Sequence, residues 1–264
     1  MKGIKQMEEV KFQAHLQRGI GLQEMQRLLQ TYAQYGDWQK VRELALHENL
    51  LGKTSEHMVK NMLYAFKRRF LSDLGLPPAE IIAEMMCSNI SETVKIQTLL
   101  PYYLLSDALV KHCYRELVLK RLTSDHQTLT SAEVLEHLHT LSTKHKELAR
   151  WSDYLRRRWA RGFIAFLRHF GLMEHYPHRK LRRLWLQPET FGLFWLWFWK
   201  RDGSFWRVKE NEIWVLLQVD ERYLEELLSE GQLRGWWTYQ RLGEIVQFHP
   251  MFSNLKEWLK DGLA

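Results

Sequence analysis

The sequence lacks features that mark secreted and membrane-spanning proteins. Its 264 residues include two cysteines, Cys87 and Cys113, which are too few for a disulfide framework and favour a reducing, intracellular setting. The N-terminal segment has no apolar stretch followed by a small-residue cleavage site, so we expect no secretory signal. The apolar run Phe191–Trp199 has nine residues before it meets Lys200, whereas a membrane-spanning helix needs about 20. These absences predict a cytoplasmic protein without membrane insertion.

Motifs of common catalytic sites are also missing. The sequence contains no G-x-x-x-x-G-K-[ST], no G-x-G-x-x-G after a strand, no H-E-x-x-H and no G-x-S-x-G. Its histidines do not have metal-ligand spacing, because His137 and His139 diverge on a predicted helix and His175 and His178 lack further ligands nearby. We therefore expect a protein that is not an enzyme and that has no metal site and no cofactor.

Basic charge is concentrated in one segment. Residues 151–183 contain nine basic and two acidic side chains, so the segment has a net charge of +7, equal to that of the whole chain. All other residues together are therefore neutral. A basic excess confined to one segment predicts a surface that faces a polyanion.

Most segments have the periodicity of amphipathic helices, which predicts a mainly α fold. The segment LGLPPAE stops one helix and starts another, and the capping-box spacing of Thr130 and Glu133 predicts a helix that continues through Leu148. These signals divide the chain into an N-terminal helix-turn-helix-like domain (1–76), a helical middle region (77–150) and a part with a basic aromatic helix and a C-terminal winged-helix domain (151–264).

The first part has the element order of a helix-turn-helix or winged-helix module. One helix ends at Gly36, Asp37 caps a second, and a third begins after Thr54. Two short helices and a turn before a longer third helix are typical of this motif, whose last helix contacts DNA.

The third helix has two different faces. Its apolar face is formed by Met58, Val59, Met62, Phe66 and Phe70. Its polar face contains side chains that donate hydrogen bonds or stack, with no acid among them: His57, Lys60, Asn61, Tyr64, Lys67 and Arg68. Such a face can contact phosphates and base edges in a major groove; the alternative is an ordinary solvated face.

A basic aromatic helix is predicted between an N-cap at Ser152 and a stop at Gly171. Leu155, Trp159, Phe163, Phe166 and Phe170 share one side of it. On the opposite side, Arg157, Arg161 and Arg168 fall within about 40° of one another. The helix should thus bury its aromatic side and expose an arginine stripe.

The arginine stripe continues into the segment HRKLRRLW with Arg179, Lys180, Arg182 and Arg183. Neutralisation of phosphates by such residues makes binding strongly salt-dependent. Double-stranded DNA is the favoured ligand, while RNA, an acidic protein and an anionic membrane surface are alternatives. RNA is the weaker of these because no aromatic RNP-type strand motif is present.

The C-terminal part is predicted to be a winged helix with a small β-hairpin. Its expected order is a helix over 189–201, a short strand over Phe205–Val208, helices over 211–218 and 221–229, and a hairpin of LRGWWTY with EIVQF. The tryptophan-rich segment forms the first helix and contributes core residues. Trp197 lies off the core face, which predicts an exposed indole.

The expected recognition helix of this winged helix has the wrong charge for DNA. Residues 220–231 contain five acids and one arginine, a net charge of −4, and phosphates would repel them. Any DNA contact of this part should come from Arg234 and Arg241 of the hairpin or from the basic aromatic helix. An alternative role is the docking of another protein through Glu221, Glu225, Glu226 and Trp197.

The segment from Tyr35 to Leu74 resembles the BrxA family of bacterial BREX (bacteriophage exclusion) systems, and a looser similarity covers roughly residues 22–250. The matching features are Asp37-Trp38 followed by Val41, then Asn49-Leu50-Leu51, Ser55, and a helix ending in Arg68, Arg69 and Phe70. The resemblance implies a small, cytoplasmic, mostly helical DNA-binding component of a multi-gene antiviral defence system, in which other subunits supply methyltransferase and ATPase activities. It supplies no active-site residues.

Taken with the face analysis, the resemblance predicts a non-enzymatic component of BREX phage resistance that binds double-stranded DNA mainly through phosphate contacts. The alternative is an assembly adaptor that docks other BREX subunits through its acidic C-terminal winged helix. The sequence predicts neither the oligomeric state nor the DNA sequence that is bound.

Overall fold

A computed structural model describes residues 11–263 and confirms the mainly α fold. Its one regular sheet is an antiparallel pair near the C-terminus, β1 (Trp237–Leu242) and β2 (Ile245–Pro250). A 3-10 turn spans His15–Arg18, and wider π-helical turns span Tyr114–Leu119, where the turn joins two α-helical stretches, and Trp258–Gly262. The α-helices are α1 (Leu22–Tyr35), α2 (Trp38–His47), α3 (Glu56–Phe70), α4 (Ala79–Cys87), α5 (Glu92–Leu105), α6 (Ala108–Cys113), α7 (Lys120–Leu122), α8 (Ser131–Ser142), α9 (Lys146–Ala149), α10 (Asp153–His169), α11 (Pro188–Asp202), α12 (Phe205–Lys209), α13 (Glu212–Leu216), α14 (Glu221–Leu233) and α15 (Leu255–Glu257).

Contacts between residues group the chain into two compact units, each built from two chain segments. Unit 1 comprises the described part of Met1–Ile20 with Asp107–Arg182, and unit 2 comprises Gly21–Ser106 with the described part of Arg183–Ala264. The division into three consecutive parts remains a prediction.

The first three helices of unit 2 begin and end where the sequence predicts. Gly36 follows α1 with a φ of 65°, and the carboxylate of Asp37 accepts a hydrogen bond from the amide of Gln39 at 2.8 Å at the start of α2. On α3 the predicted apolar face is buried except at Met58, which is 43% exposed. The prediction was wrong at this residue because Met58 is rotated by about 100° from the buried Val59, outside the apolar face.

An aromatic core fills the C-terminal part of unit 2. The ring of Trp195, which has no exposed surface, lies 5.3 Å from that of Phe191, 5.7 Å from Trp214 and 5.8 Å from Phe248. The tryptophan-rich segment is therefore core, as predicted. Within residues 11–263, no helix combines the length and the apolar character needed to cross a membrane.

The predicted strand Phe205–Val208 is wrong, because these residues begin the short helix α12. Phe205 and Val208 are both buried, and a spacing of three residues places both on one side of a helical turn. The C-terminal part of unit 2 thus consists of helices followed by a hairpin, without the first strand of a winged helix.

The exposed indole predicted at Trp197 is also wrong. The side chain is half-buried, and its N–H donates to the carbonyl of Gly75 at 3.1 Å. The partner comes from the loop before α4, far away in the sequence, so helical periodicity alone could not reveal it.

Unit 1 is built around α10. Ser152 caps this helix by accepting a hydrogen bond from the amide of Leu155 at 3.3 Å. Four of the five predicted aromatic-face residues are buried and Leu155 is half-buried. A Cβ on Gly162 would lie 2.6 Å from the carbonyl oxygen of Leu16, so the absence of a side chain lets the N-terminal segment approach the helix.

The capping box predicted at the start of α8 is confirmed, with Thr130 and Glu133 satisfying each other's backbone amides at 2.8 and 3.2 Å. The helix nevertheless ends at Ser142, and α9 is a separate turn. The predicted continuation through Leu148 was therefore wrong.

Unit 1 also contains three short extended segments that pair with one another. Residues 179–182 lie between the other two: Leu181 donates to Gln127 O at 2.7 Å, and Arg182 donates to Leu172 O at 2.9 Å. Both pairings are antiparallel. The segment 172–182 is consequently a hairpin that follows α10, and its second strand, residues 179–182, also neighbours the extended residues just before α8.

Candidate nucleic-acid interface

The exposed side of α10 carries three arginines, Arg157, Arg158 and Arg161. Arg157 and Arg161 are four residues apart, which places them one turn and about 6 Å from each other along the helix. Within residues 11–263, the α10 arginine that forms an ion pair is Arg156, whose guanidinium lies 3.1 Å from Asp153. The predicted stripe is therefore present at Arg157 and Arg161, with Arg158 beside it.

Arg168 has a different environment from these residues. Its half-buried guanidinium donates to Glu174 O at 3.3 Å and to His178 O at 3.2 Å. It also lies 6.0 Å from the centre of the Tyr176 ring. Arg168 thus binds the hairpin to the C-terminal end of α10, and its predicted contact with DNA remains a prediction.

The tip of this hairpin is exposed over residues 175–180 and includes Arg179 and Lys180. Tyr176 at the tip is 83% exposed. Arg182 is exposed as well. Arg183 belongs to unit 2, where it forms an ion pair with Asp220. The nine basic residues that are close in sequence therefore divide into different environments.

In unit 2, α3 presents the polar face that the sequence predicts. His57, Lys60, Tyr64 and Lys67 are exposed, whereas Asn61 and Arg68 are half-buried. Two interactions already occupy basic side chains of this face.

The ammonium group of Lys60 lies 2.8 Å from the Glu56 carboxylate one turn earlier. This hydrogen bond lowers the pKa of Glu56, which keeps the carboxylate ionised. In addition, Arg68 donates to the carbonyl of Ser106 at 2.9 Å. The face therefore offers fewer uncompensated cations than the stripe on α10.

The acidic helix α14 is extensively paired with basic residues of unit 2. Its ion pairs are Asp220 with Arg183, Glu221 with Lys209, Glu225 with Arg241, Glu226 with Arg222, and Glu230 with Arg234. The net charge of −4 counted along the helix is thus offset mostly by residues outside it. The backbone amide of Tyr223, followed by Arg183, lowers the pKa of Asp220, so this carboxylate is ionised at neutral pH.

The two basic residues predicted to contact DNA near this helix are already bound. Arg234 lies 2.8 Å from both Glu189 and Glu230. Arg241 pairs with Glu225, whose carboxylate also accepts a hydrogen bond from Tyr239 at 2.6 Å. Burial and the Glu225 carboxylate raise the pKa of the Tyr239 hydroxyl, which remains a donor. A phosphate would have to displace these carboxylates from Arg234 and Arg241.

The part of the chain that the structure describes contains no cluster of three or more His, Cys, Asp or Glu side chains that could hold a metal ion. Cys113 is fully buried, and burial raises the pKa of its thiol.

Comparison with known proteins bears on the fold and the family. No curated protein matches the chain. A crystal structure of an uncharacterized protein from Magnetospirillum magneticum is similar with a TM-score of 0.56 at 12% identity, over 74% of this chain and 94% of the other. At that identity the likeness shows a shared fold alone. The model of the BrxA family matches residues 11–194, well over half of the chain. The protein belongs to the BrxA family.

Proposed function

We propose that this protein is a non-enzymatic, double-stranded DNA-binding component of BREX phage defence. Membership of the BrxA family implies a BREX-associated role. The observation that carries the DNA-binding proposal is the exposed arginine side of α10, where Arg157, Arg158 and Arg161 project from a helix whose opposite side is buried.

The order of elements in unit 1 supports this proposal. Unit 1 contains, in chain order, a helix over α6 and α7, an extended segment at 127–129, α8, α10 and a hairpin over 172–182. The second strand of the hairpin lies between its first strand and the extended segment at 127–129. This is the order of a winged helix, with α10 in the position of the recognition helix and α9 as an additional turn. The sequence predicts a helix-turn-helix or winged-helix module near the N-terminus and a winged helix near the C-terminus instead.

The chemistry of the arginine side favours phosphate contacts. A guanidinium forms paired, charge-assisted hydrogen bonds with phosphate oxygens, and an α-helix of about 10–12 Å diameter fits the major groove, which is about 12 Å wide. The face of α3 is a second, separate candidate, in which Lys67 and His57 complement Lys60. Both faces present donors, so we propose mainly phosphate contacts.

The test is a fluorescence-anisotropy titration of a labelled DNA duplex at several salt concentrations. Three to five phosphate contacts should make the logarithm of the binding constant fall with the logarithm of salt concentration with a slope of about −3 to −4.5. A labelled neutral peptide, used as a control probe without phosphates, should show no such salt dependence. A slope near zero, or no binding at low salt, would overturn the proposal.

A second candidate is the assembly adaptor, for which exposed apolar side chains provide a specific observation. Leu242 and Ile245 are paired across the hairpin of unit 2 and are 81% and 69% exposed. Exposed apolar groups of this kind mark protein-interaction surfaces when they occur together. Trp197 and Glu225 have partners on other elements of unit 2, whereas Glu226 pairs with the exposed Arg222 of its own helix, so Glu226 and the hairpin tip are the better candidates for docking.

The adaptor role predicts a loss of partner without a loss of DNA binding. Substitutions Leu242→Asp and Ile245→Asp should abolish co-purification with the other BREX subunits, because they place charge on an apolar contact. Glu226→Lys tests the acidic helix separately, with Arg222→Glu added to restore the ion pair as the control. Unchanged co-purification of the BREX subunits with the Leu242→Asp/Ile245→Asp variant and with Glu226→Lys would exclude this role.

A further inference from the structure

We infer that the hairpin tip of unit 1 contacts the minor groove of A·T-rich duplex DNA and that Arg168 is the residue that positions it. We call residues 175–180 the wing. The inference rests on the proposed function, because it requires α10 to lie in a neighbouring major groove.

The base of the wing is fixed, whereas its tip is exposed. Met173 and Leu181 pair across the hairpin and are each 2% exposed, and the amide of Glu174 donates to Lys180 O at 2.9 Å. All six residues of the wing are exposed. This arrangement presents a short tip on an anchored base.

The wing is attached to the same helix that displays the arginines. Arg168 donates to two carbonyl groups of the hairpin, Glu174 O just before the wing at 3.3 Å and His178 O within the wing at 3.2 Å. It follows Arg161 by seven residues, which is about 10 Å along the helix axis and close to the same face. These two contacts therefore set the position of the wing relative to the exposed arginines.

The chemistry of the wing fits a minor groove. It contains two histidines, Arg179 and Lys180, and no acid. Narrow minor grooves of A·T sequences have an enhanced negative potential that attracts inserted Arg, Lys and His side chains. Tyr176 adds a flat donor and acceptor at the tip. A helix in the major groove with a neighbouring segment in the minor groove is an established mode of duplex recognition.

Competition with distamycin, a ligand of the A·T minor groove, tests where the wing binds. Distamycin should weaken binding of the unaltered protein to an A·T-rich duplex by about tenfold, comparable to the loss of one specific contact. Combined substitution Tyr176→Ala and Arg179→Ala should produce a similar loss and make binding insensitive to distamycin. Both side chains are exposed, so the variant should retain the fold, which circular dichroism can verify.

Arg168 is tested by a double-mutant cycle and by a conservative variant. Arg168→Ala should reduce affinity as much as the wing variant, and the combination should cause little further loss, since both changes remove the same contact. Arg168→Lys keeps the charge but not the fork that holds two carbonyls, so it should behave like Arg168→Ala. Full binding by Arg168→Lys would instead identify a simple phosphate contact and overturn the positioning role.

The outcomes separate this inference from the proposed function. Salt-dependent binding that requires Arg157 and Arg161, but is unaffected by distamycin and by the wing variant, overturns the inference and leaves DNA binding intact. Tighter binding to a matched RNA duplex also overturns it, because the A-form minor groove is wide and shallow. Absence of binding to any duplex would refute the proposed function itself.

Discussion

Replacing Arg157 and Arg161 together with alanine is expected to weaken binding to duplex DNA by roughly 100-fold at moderate salt, about tenfold for each charge-assisted hydrogen bond that is lost. The slope of the logarithm of affinity against the logarithm of salt concentration should become shallower by about two. Both side chains are exposed on α10, so the variant should fold normally. Anisotropy titrations of both proteins across a salt series provide the measurement.

A matched control is Arg222→Ala, which removes a guanidinium from α14. The Arg222 side chain is 91% exposed and pairs with Glu226 one turn away. Its loss should leave affinity nearly unchanged, because the surrounding carboxylates do not attract phosphate. Equal losses in the control and in the α10 variant would show that total charge, rather than the α10 surface, determines binding.

Replacing Trp195 with alanine should lower the free energy of unfolding by about 3–5 kcal/mol, the range for removing a large aromatic side chain from a core. Trp195 has no exposed surface, and its ring lies within 6 Å of four other aromatic rings, those of Phe191, Phe205, Trp214 and Phe248. Urea denaturation followed by near-ultraviolet circular dichroism would report the change.

Trp185→Ala is the corresponding control, since Trp185 is 63% exposed and meets Tyr223 through an edge contact at 5.7 Å. Its removal should change the free energy of unfolding by less than about 1 kcal/mol. A small effect of Trp195→Ala, comparable to that of the control, would contradict the assignment of the tryptophan-rich segment to the core.

The features that the sequence predicts well are those with local causes. Asp37, Thr130 and Ser152 cap helices as expected, because an N-cap needs only the amides two or three residues later. The aromatic side of α10 follows from periodicity for the same reason. The exposure of Arg157 and Arg161 is then a consequence of their place on the opposite side.

The features that the sequence does not predict depend on distant partners. One of the two pairings among the short extended segments of unit 1 joins Thr128 with Lys180, about 50 positions apart, and each segment is too short for a clear alternating pattern. The ion pair between Arg241 and Glu225 also joins different elements, β1 and α14. At α12, aromatic and β-branched composition favoured a strand, whereas burial of Phe205 and Val208 on one side of a turn favours the helix.

The construction of each unit from two chain segments has a consequence for synthesis on the ribosome, where domains fold as units once their residues are present. Unit 1 has all its residues when Arg182 has emerged, although the first segment of unit 2 precedes the second segment of unit 1 in the chain. At that moment the helices α1–α5 still lack the tryptophan-rich core that follows. All residues of unit 1, which carries the α10 arginines, are therefore synthesised first. The apolar sides of α1–α5 can be covered only after the C-terminal third of the chain has been synthesised.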